Sequence, residues 1–301
     1  MTEQLATNVG PERLDIAWEE HGDRRDPTVL LVMGLANQLV HWPIGFVDAL
    51  VARNLHVVRF DNRDAGRSTH MHGAPAPDMA AAFAGDLSSA SYTLSNMAAD
   101  GIGLLDALKI DAAHAVGVSM GGGIAQTMAL EHQARIRSLT SMMWTTGAPS
   151  VGQMHPATMK AVFGTPPGQT REEVIARAVE RAAVVGSPGF PSDDAAVAER
   201  AALAYDRGHD NLAPVRQGLA TIASGDRTER LRKLGLPTLV IHGLADTMCD
   251  PSGGRATAEA IPGAELVLIE GLGHSLPEGV WERLADGIAG VVKRGEAGAR
   301  S

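Results

Sequence analysis

The sequence predicts an α/β protein with a mostly parallel central sheet, flanking helices and a helical insertion. Two observations lead to this fold class. Short apolar runs of strand length alternate with helical patterns, an order that favours parallel strands joined by right-handed crossovers. A helical stretch over residues 147–228 then interrupts the alternation, which resumes in the last part of the chain.

Five predicted strands lie in the first half of the chain. Residues 14–19 alternate apolar and polar side chains, as a half-buried strand does. Residues 28–33 form a short apolar run, which fits a strand buried on both faces of a sheet. Strands are also predicted over the apolar residues 55–60, over 113–118, and over 136–144, which is rich in β-branched and apolar residues. Helical spacing of apolar residues predicts helices between them, over residues 43–53, 95–108 and 122–132.

The second half divides into an insertion and a return to the sheet. Helices are predicted within the insertion over residues 172–185, 194–206 and 212–223, then strands over 237–242 and 265–269, and helices over 254–260 and 281–292. We therefore assign residues 1–146 and 231–301 to one α/β core and residues 147–230 to a helical cap. The cap is expected above the carboxyl ends of the strands, where open sheets bind ligands. The last residues, 294–301, are expected to fray.

Composition and charge argue against several kinds of partner and compartment. The 301 residues are 45% apolar, enough for a large core, and the formal charge of −9 disfavours binding to nucleic acid or anionic membranes. A single cysteine, Cys249, cannot form an internal disulfide. Residues 1–10 show no leader pattern, and no apolar run is long enough to span a membrane. We expect a cytoplasmic protein, and the sequence leaves homo-oligomerisation open.

Ser119 is the candidate nucleophile. It lies at the centre of GVSMG, residues 117–121, which matches G-x-S-x-G between a predicted strand and a predicted helix. A serine at such a strand-to-helix turn has a strained backbone and an exposed Oγ. The free N–H groups and positive dipole end of the following helix point at the site.

His274 and Asp246 are the candidate base and acid. A serine hydroxyl needs a base beside it before it can attack, and His274 follows a predicted strand in the sharply bending GLGHS, residues 271–275. Asp246 follows the preceding strand, where its carboxylate could accept the imidazole Nδ1–H and fix the tautomer. Asp250, four residues later, is the rival acid.

Two backbone amides are predicted to form an oxyanion hole for the charge that acyl transfer builds on a carbonyl oxygen. One is the N–H of Met120, which follows the nucleophile. The other should come from the loop after the strand at 28–33. We assign it to Leu35, because Gly34 gives the backbone room to turn an amide inward.

No metal site or cofactor is expected. The sequence contains no CxxC or HExxH motif. His70 and His72 form an H-x-H pair, but the sequence shows no third ligand. His114 and His242 lie in predicted strands and are interpreted as packed, hydrogen-bonded residues.

Together these motifs resemble the α/β-hydrolase superfamily over nearly the whole chain. DNRDAGRS at residues 61–68 is similar to the D-x-R-G-x-G-x-S loop of that superfamily, with Asp64 where the pattern has glycine. The segments LVMG (31–34), RFDNRD (59–64), GVSMG (117–121) and GHSLP (273–277) resemble the aclacinomycin methylesterase branch. This resemblance implies a carboxylic-ester hydrolase, and members of that branch cleave a methyl ester on a polyketide-derived aromatic.

The predicted function is hydrolysis of a small-molecule carboxylic ester, such as a methyl ester of an apolar or aromatic polyketide-like substrate. Met143 and Trp144 lead into the insertion and Met154 follows within it, and these three side chains are predicted to line an apolar, adaptable pocket. A cofactor-free perhydrolase or haloperoxidase activity, a carbon–carbon bond hydrolase, and a non-enzymatic receptor or scaffold stay open. Dehalogenases and epoxide hydrolases are disfavoured, because they place aspartate where Ser119 stands.

Overall fold

A mixed sheet of eight strands forms the centre of the molecule. The computed structural model describes residues 2–164, 166 and 168–298. The strands are β1 (Gln4–Val9), β2 (Leu14–His21), β3 (Thr28–Val32), β4 (His56–Phe60), β5 (Ala113–Val118), β6 (Ile136–Met142), β7 (Thr238–Gly243) and β8 (Glu265–Ile269). Their order is β1-β2-β4-β3-β5-β6-β7-β8; β2 is antiparallel to both neighbours and the other pairings are parallel. This confirms the predicted fold class.

Helices cover both faces of the sheet. They are α1 (Ile44–Val51), α2 (Met79–Phe83), α3 (Leu94–Ala107), α4 (Met120–Glu131), α5 (Pro156–Phe163), α6 (Arg171–Val185), α7 (Asp194–Arg207), α8 (Ala213–Ala223), α9 (Thr228–Leu231), α10 (Ser252–Ala260) and α11 (Trp281–Gly298). Helices α3 and α4 pack together on one face, while α1 and α11 pack on the other. Helices α5 to α9 lie between β6 and β7, so the helical interruption is found where the sequence predicts it. No helix in the described ranges is long and apolar enough to cross a membrane.

Strand β3 illustrates why a central strand can be a continuous apolar run in the sequence. Every one of its residues is buried. Leu30 and Val32 belong to the core on the α3–α4 side, whereas Val29 and Leu31 belong to the core on the α1–α11 side. Successive side chains of a strand point to opposite faces, so a strand covered on both faces must be apolar throughout.

The structure contains short elements that the sequence did not predict, and its last helix is longer than expected. Strand β1 and the short helices α2 and α5 were not predicted; β1 is mostly exposed and therefore carries little apolar pattern. The expected fraying after residue 294 is wrong, because α11 continues to Gly298 and Glu296 accepts hydrogen bonds from Arg137 and His114. The remainder of that segment, residues 299–301, lies outside the described residues.

Two buried ion pairs attach the insertion to the loop that follows β4. Arg207, at the end of α7, donates from Nη2 to Asp61 at 2.8 Å. Arg216, on α8, forms a bidentate pair with Asp64 at 2.7 and 2.9 Å. All four side chains are nearly inaccessible to solvent. Removing one partner of such a pair typically costs about 3–5 kcal/mol, so this end of the insertion is firmly fixed to the core.

Asp64 replaces the glycine of the D-x-R-G-x-G-x-S pattern, and its side chain has a structural role that glycine cannot have. Its backbone is left-handed, with φ of 62°, the conformation that glycine adopts readily and that aspartate also tolerates. The carboxylate accepts from the Tyr92 hydroxyl at 2.7 Å and from the Met71 N–H at 2.8 Å, besides Arg216. The aspartate therefore adds the insertion anchor that a glycine could not provide.

A further partly buried ion pair joins β2 to β4. Glu19 lies opposite Arg59 in the sheet register and accepts from its guanidinium at 2.6 and 3.0 Å. Burial alone would raise the pKa of Glu19. A hydrogen bond with His21 and the charge and hydrogen bonds of Arg59 outweigh burial and lower that pKa from 4.5 to about 2.

Replacing Glu19 with glutamine should therefore make stability less dependent on pH. The pKa of Glu19 is depressed in the folded state, so its stabilisation is fully present above about pH 4.5 and is lost as pH falls towards 2. We expect Glu19→Gln to lower the free energy of unfolding by roughly 1–3 kcal/mol at neutral pH. Urea unfolding of both proteins at a series of pH values measures the difference, which should shrink in acid.

Glu229→Gln is the matched control, because Glu229 is 79% exposed in its pair with Arg232 and surface pairs contribute little. A Glu19→Gln effect that does not depend on pH would contradict the assigned ion pair.

Candidate active site

Ser119 lies at a sharp turn between β5 and α4. Its φ of 55° and ψ of −132° are strained for a residue with a Cβ. The turn is held on both sides, since the Ser119 N–H donates to the Met142 carbonyl at 2.9 Å and the Ser119 carbonyl accepts from Gly122 at 2.7 Å. The side chain is half-buried at the carboxyl end of the sheet.

The glycines around Ser119 are required by close backbone contacts. A Cβ on Gly117 would lie 2.0 Å from the Gly121 carbonyl oxygen. A Cβ on Gly121 would lie 2.0 Å from the carbonyl oxygen of Val32, at the end of β3. These distances are well below any real contact of a Cβ, so only glycine lets α4 begin immediately after Ser119 and pack against β3.

Asp246 and His274 are in direct contact. His274 Nδ1 lies 2.7 Å from Asp246 Oδ2, which assigns the hydrogen to Nδ1 and leaves a lone pair on Nε2. The other carboxylate oxygen, Oδ1, accepts from the N–H groups of Met248 and Cys249, both at 2.9 Å. The Asp246 side chain is fully buried and that of His274 is 11% exposed.

The surroundings of Asp246 keep it ionised. Burial opposes the charge and raises the pKa, but the charge of His274 and hydrogen bonds from His242, His274 and the Cys249 amide outweigh it. The net effect holds the pKa of Asp246 well below its usual range. A permanently charged carboxylate can orient the imidazole and stabilise the imidazolium.

His242 is a neighbour of this pair that sequence reasoning did not assign to the site. It is fully buried in β7, and its Nε2 lies 2.8 Å from the Cys249 carbonyl oxygen and 3.4 Å from Asp246 Oδ2. It therefore braces the turn that carries Asp246. The sequence did hold one signal for this role: His242 lies at the end of a predicted strand, only four residues before Asp246.

The insertion supports the loop that carries His274. The His274 N–H donates to the Val185 carbonyl at 2.8 Å, and the Gly273 N–H donates to Ser187 Oγ at 3.0 Å. The hydroxyls of Ser187 and Ser275 are 2.6 Å apart. The segment between α6 and α7 is thus a structural part of the site, a contribution that the sequence did not predict.

Ser119 is not hydrogen-bonded to His274 in the part of the chain that the structure describes. The two residues share the carboxyl edge of the parallel strands, Ser119 after β5 and His274 after β8. Hydrogen bonds of this kind are often long without substrate and tighten when it binds. The structure therefore brings together the predicted acid and base, and presents the serine at the same edge.

The predicted oxyanion amides lie on the two chain segments beside Ser119. A Cβ on Gly34 would lie 3.0 Å from Ser119 Cβ, which places the loop after β3 against the serine. The Leu35 N–H has no acceptor among residues 2–164, 166 and 168–298. Met120 is the first residue of α4, so its N–H lacks a partner within the helix. Strands β3 and β5 meet where the strand order reverses, a usual place for ligand binding in open sheets.

The predicted pocket residues separate into two environments. Trp144 and Met154 line a cavity of about 410 Å³, together with Met159 and Ile222. Ser119, Asp246 and His274 are not part of its lining. Met143 is 1% exposed and belongs to the core on the α1–α11 side, and its predicted contact with substrate stays a prediction.

Cys249 lacks the surroundings of a reactive thiol. It is a free, buried thiol. Burial, together with the negative charges of Asp246 and Asp250, raises the pKa of the thiol far above its ordinary value. The thiolate, which is the reactive form, is therefore suppressed.

Most of the chain matches the model of a known family. Residues 27–278 match the family described as alpha/beta hydrolase fold. The chain therefore belongs to the α/β-hydrolase family, as the sequence motifs indicate.

Named relatives come from several bacteria. The rhodomycin D methylesterase DnrP of Streptomyces peucetius is 31% identical over 290 residues, which is 90% of this chain and 93% of that protein. The rhodomycin D methylesterase DauP of Streptomyces sp. (strain C5) is 31% identical over 291 residues, again 90% and 93% of the two chains. A thermophilic esterase from Thermogutta terrifontis has a TM-score of 0.70 at 22% identity, covering 98% of this chain and 99% of that chain, which shows a shared fold.

Replacing Gly121 with alanine should destabilise the protein. The added Cβ would meet the Val32 carbonyl oxygen at 2.0 Å, and rigid backbone on both sides leaves no easy relief. We expect the free energy of unfolding to fall by about 1–3 kcal/mol or more, as measured by urea unfolding.

Gly235→Ala provides the comparison, because a Cβ there has nothing within 4 Å. Equal stability of the two variants would show that α4 does not press against β3 as described.

Proposed function

We propose that this chain is a serine hydrolase that cleaves a carboxylic ester through an acyl-enzyme. The observation that carries the proposal is the 2.7 Å contact of His274 with the buried, ionised Asp246, at the same sheet edge as the strained Ser119. In this assignment Ser119 is the nucleophile, His274 the base and Asp246 the residue that orients it.

In the acylation half-reaction, His274 Nε2 takes the hydroxyl proton as Ser119 Oγ attacks the ester carbonyl carbon. The N–H groups of Leu35 and Met120 stabilise the oxyanion of the tetrahedral intermediate. The intermediate collapses by breaking the bond to the alkoxy oxygen. That oxygen receives the proton from His274, the alcohol leaves, and the acyl group stays on Ser119.

Deacylation repeats the sequence with water. His274 removes a proton from water, whose oxygen attacks the acyl carbon. The second tetrahedral intermediate breaks its bond to Ser119 Oγ, which regains the proton from His274. The products are a carboxylic acid and a restored enzyme, and no cofactor takes part.

The proposed substrate is a small-molecule ester with an apolar acyl part, and a methyl ester is the first choice. The two relatives of 31% identity are named as rhodomycin D methylesterases. Trp144, Met154, Met159 and Ile222 contribute apolar side chains to a depression of about 410 Å³, whose lining also includes the polar Gln153 and Arg227. We propose Trp144 and Met154 as substrate contacts for the part of the ester that extends from Ser119 towards the insertion, since Ser119 itself is not in the lining of this depression.

Replacing Ser119 with alanine should abolish ester hydrolysis without unfolding the protein. We expect kcat to fall by about 10⁴–10⁶-fold, because removing the nucleophile leaves only binding and oxyanion stabilisation. The measurement is turnover of a panel of aromatic and aliphatic methyl esters and of their larger alkyl analogues. The methyl esters of apolar acids should have the highest kcat/KM.

Ser95→Ala is the control, since Ser95 is on the surface and bonds to Glu131. Turnover that survives in Ser119→Ala would overturn the nucleophile assignment. Hydrolysis of the larger alkyl esters only would overturn the methyl-ester preference and leave the nucleophile intact.

Replacing Asp246 with asparagine should lower kcat by about 10⁴-fold. The amide cannot hold the imidazole in the Nδ1–H tautomer or stabilise its charged form. Turnover of the best methyl ester measures this change, and an amide-for-carboxylate exchange of equal size keeps the fold.

Asp250→Asn tests the rival acid. Asp250 is exposed and its carboxylate accepts from the Ser252 N–H at 2.9 Å, as a turn-forming aspartate does. It should retain nearly full kcat. The reverse result, with Asp250→Asn inactive and Asp246→Asn active, would reassign the acid.

A further inference from the structure

Two histidines and one aspartate converge away from Ser119, where the core loop after β4 meets the insertion. His70 and His72 belong to the loop, and Asp210 lies between α7 and α8. One potential ligand atom from each residue lies within 4.8 Å of the others. Nδ1 of each histidine is 3.6 Å from Asp210 Oδ2. The fold thus provides the third ligand that the H-x-H sequence lacks.

The hydrogen bonding of His70 leaves its inward nitrogen free as an acceptor. His70 Nε2 lies 3.0 Å from the carbonyl oxygen of Gly66, so Nε2 carries the hydrogen. Nδ1 is then an unprotonated lone pair. It is inaccessible to solvent and without a hydrogen-bond partner in the described parts of the chain. A histidine whose outer N–H is bound to a carbonyl is the usual form of a metal-ligating histidine.

The spacing of the three atoms suits a metal better than direct hydrogen bonds. A gap of 3.6 Å between a nitrogen and a carboxylate oxygen is too long for a hydrogen bond. Ligands held about 2.0–2.1 Å from a tetrahedral zinc lie roughly 3.3 Å apart, so small side-chain shifts would close the site. The two imidazole rings stack with centroids 5.4 Å apart and an interplanar angle of 8°, so the exposed ring of His72 must turn for both nitrogens to reach one ion.

The local charge favours a divalent cation. Asp64 and Asp210 contribute two negative charges beside the histidines, and Asp64 Oδ1 lies 4.0 Å from His70 Nδ1. Arg216 contributes one positive charge and donates to Asp210 Oδ2 at 2.6 Å. With neutral histidines the group carries a net charge of −1, and one lone pair of Asp210 Oδ2 stays available. His72 is 75% exposed, which leaves a path for ion entry and room for water ligands.

We propose that His70, His72 and Asp210 bind a divalent transition-metal ion of the zinc class, which clamps the insertion to the loop after β4. The site is independent of the proposed ester hydrolysis, because it shares no residue with Ser119, Asp246 or His274. Imidazole and carboxylate ligands suit zinc and also Co²⁺, Ni²⁺ and Cu²⁺. Two protein histidines and one carboxylate leave at least one coordination position to water.

Titration of the full chain, without a histidine tag, with Co²⁺ tests the proposal. Bound Co²⁺ should give visible absorption bands that Zn²⁺ displaces with one equivalent. His72→Ala should weaken Co²⁺ binding by at least about 10- to 100-fold. Replacing a residue that only hydrogen-bonds a metal ligand already reduces metal affinity by that factor. Because His72 is largely exposed, this variant should fold normally, as its thermal unfolding without metal will show.

His209→Ala is the matched control, since His209 is an exposed histidine next to Asp210 that stacks on Tyr205 instead. It should bind Co²⁺ like the unmodified protein. Zn²⁺ should raise the Tm of the unmodified protein and of His209→Ala, but not of His72→Ala. Absence of Co²⁺ bands, equal affinity in His72→Ala, or no rise in Tm with saturating Zn²⁺ would each overturn the proposal.

Discussion

The left-handed turn at Ser119 is the constraint on which the arrangement of the site depends. A strand must end, a helix must begin at the next residue, and that helix must lie against β3. Glycine at positions 117 and 121 makes these contacts sterically feasible, and apolar packing of β3 and β5 on both faces of the sheet holds the strained backbone in place. The same contacts bring the loop after β3 beside Ser119, so one set of packing contacts determines the relative positions of the proposed nucleophile and the proposed oxyanion amides.

The insertion contributes to the site in two distinct ways. The end of its helix α6 and the segment that follows hold the backbone of the His274 loop through Val185 and Ser187. Its helices α7 and α8 hold the core loop after β4 through Arg207 and Arg216. The insertion is therefore a structural support for the His274 loop and for the core loop after β4.

Local sequence patterns predicted the parts of the molecule that local physics determines. The strands that are buried on both faces, the glycine-flanked serine and the strand-end positions of Asp246 and His274 each carry a short-range signal. The proposed role of Asp210 as a metal ligand could not be predicted from local patterns. Asp210 is far from His70 in the sequence, and only the folded insertion brings the two side chains together. His242 likewise resembles any packed strand histidine until its distance to Asp246 is known, and β1 lacks apolar alternation because it is an exposed edge strand.

The paired anchors at Asp61 and Asp64 also determine how the insertion can move. Arg207 ends one helix and Arg216 lies within the next, and both guanidinium groups reach the same core loop out of contact with water. Separating either pair would leave an unpaired charge in the interior, so displacing the α7–α8 side from the core loop is energetically costly. The end of α6 adds a separate attachment through the His274 and Gly273 amides, so local unfolding of the insertion would disturb two core loops together.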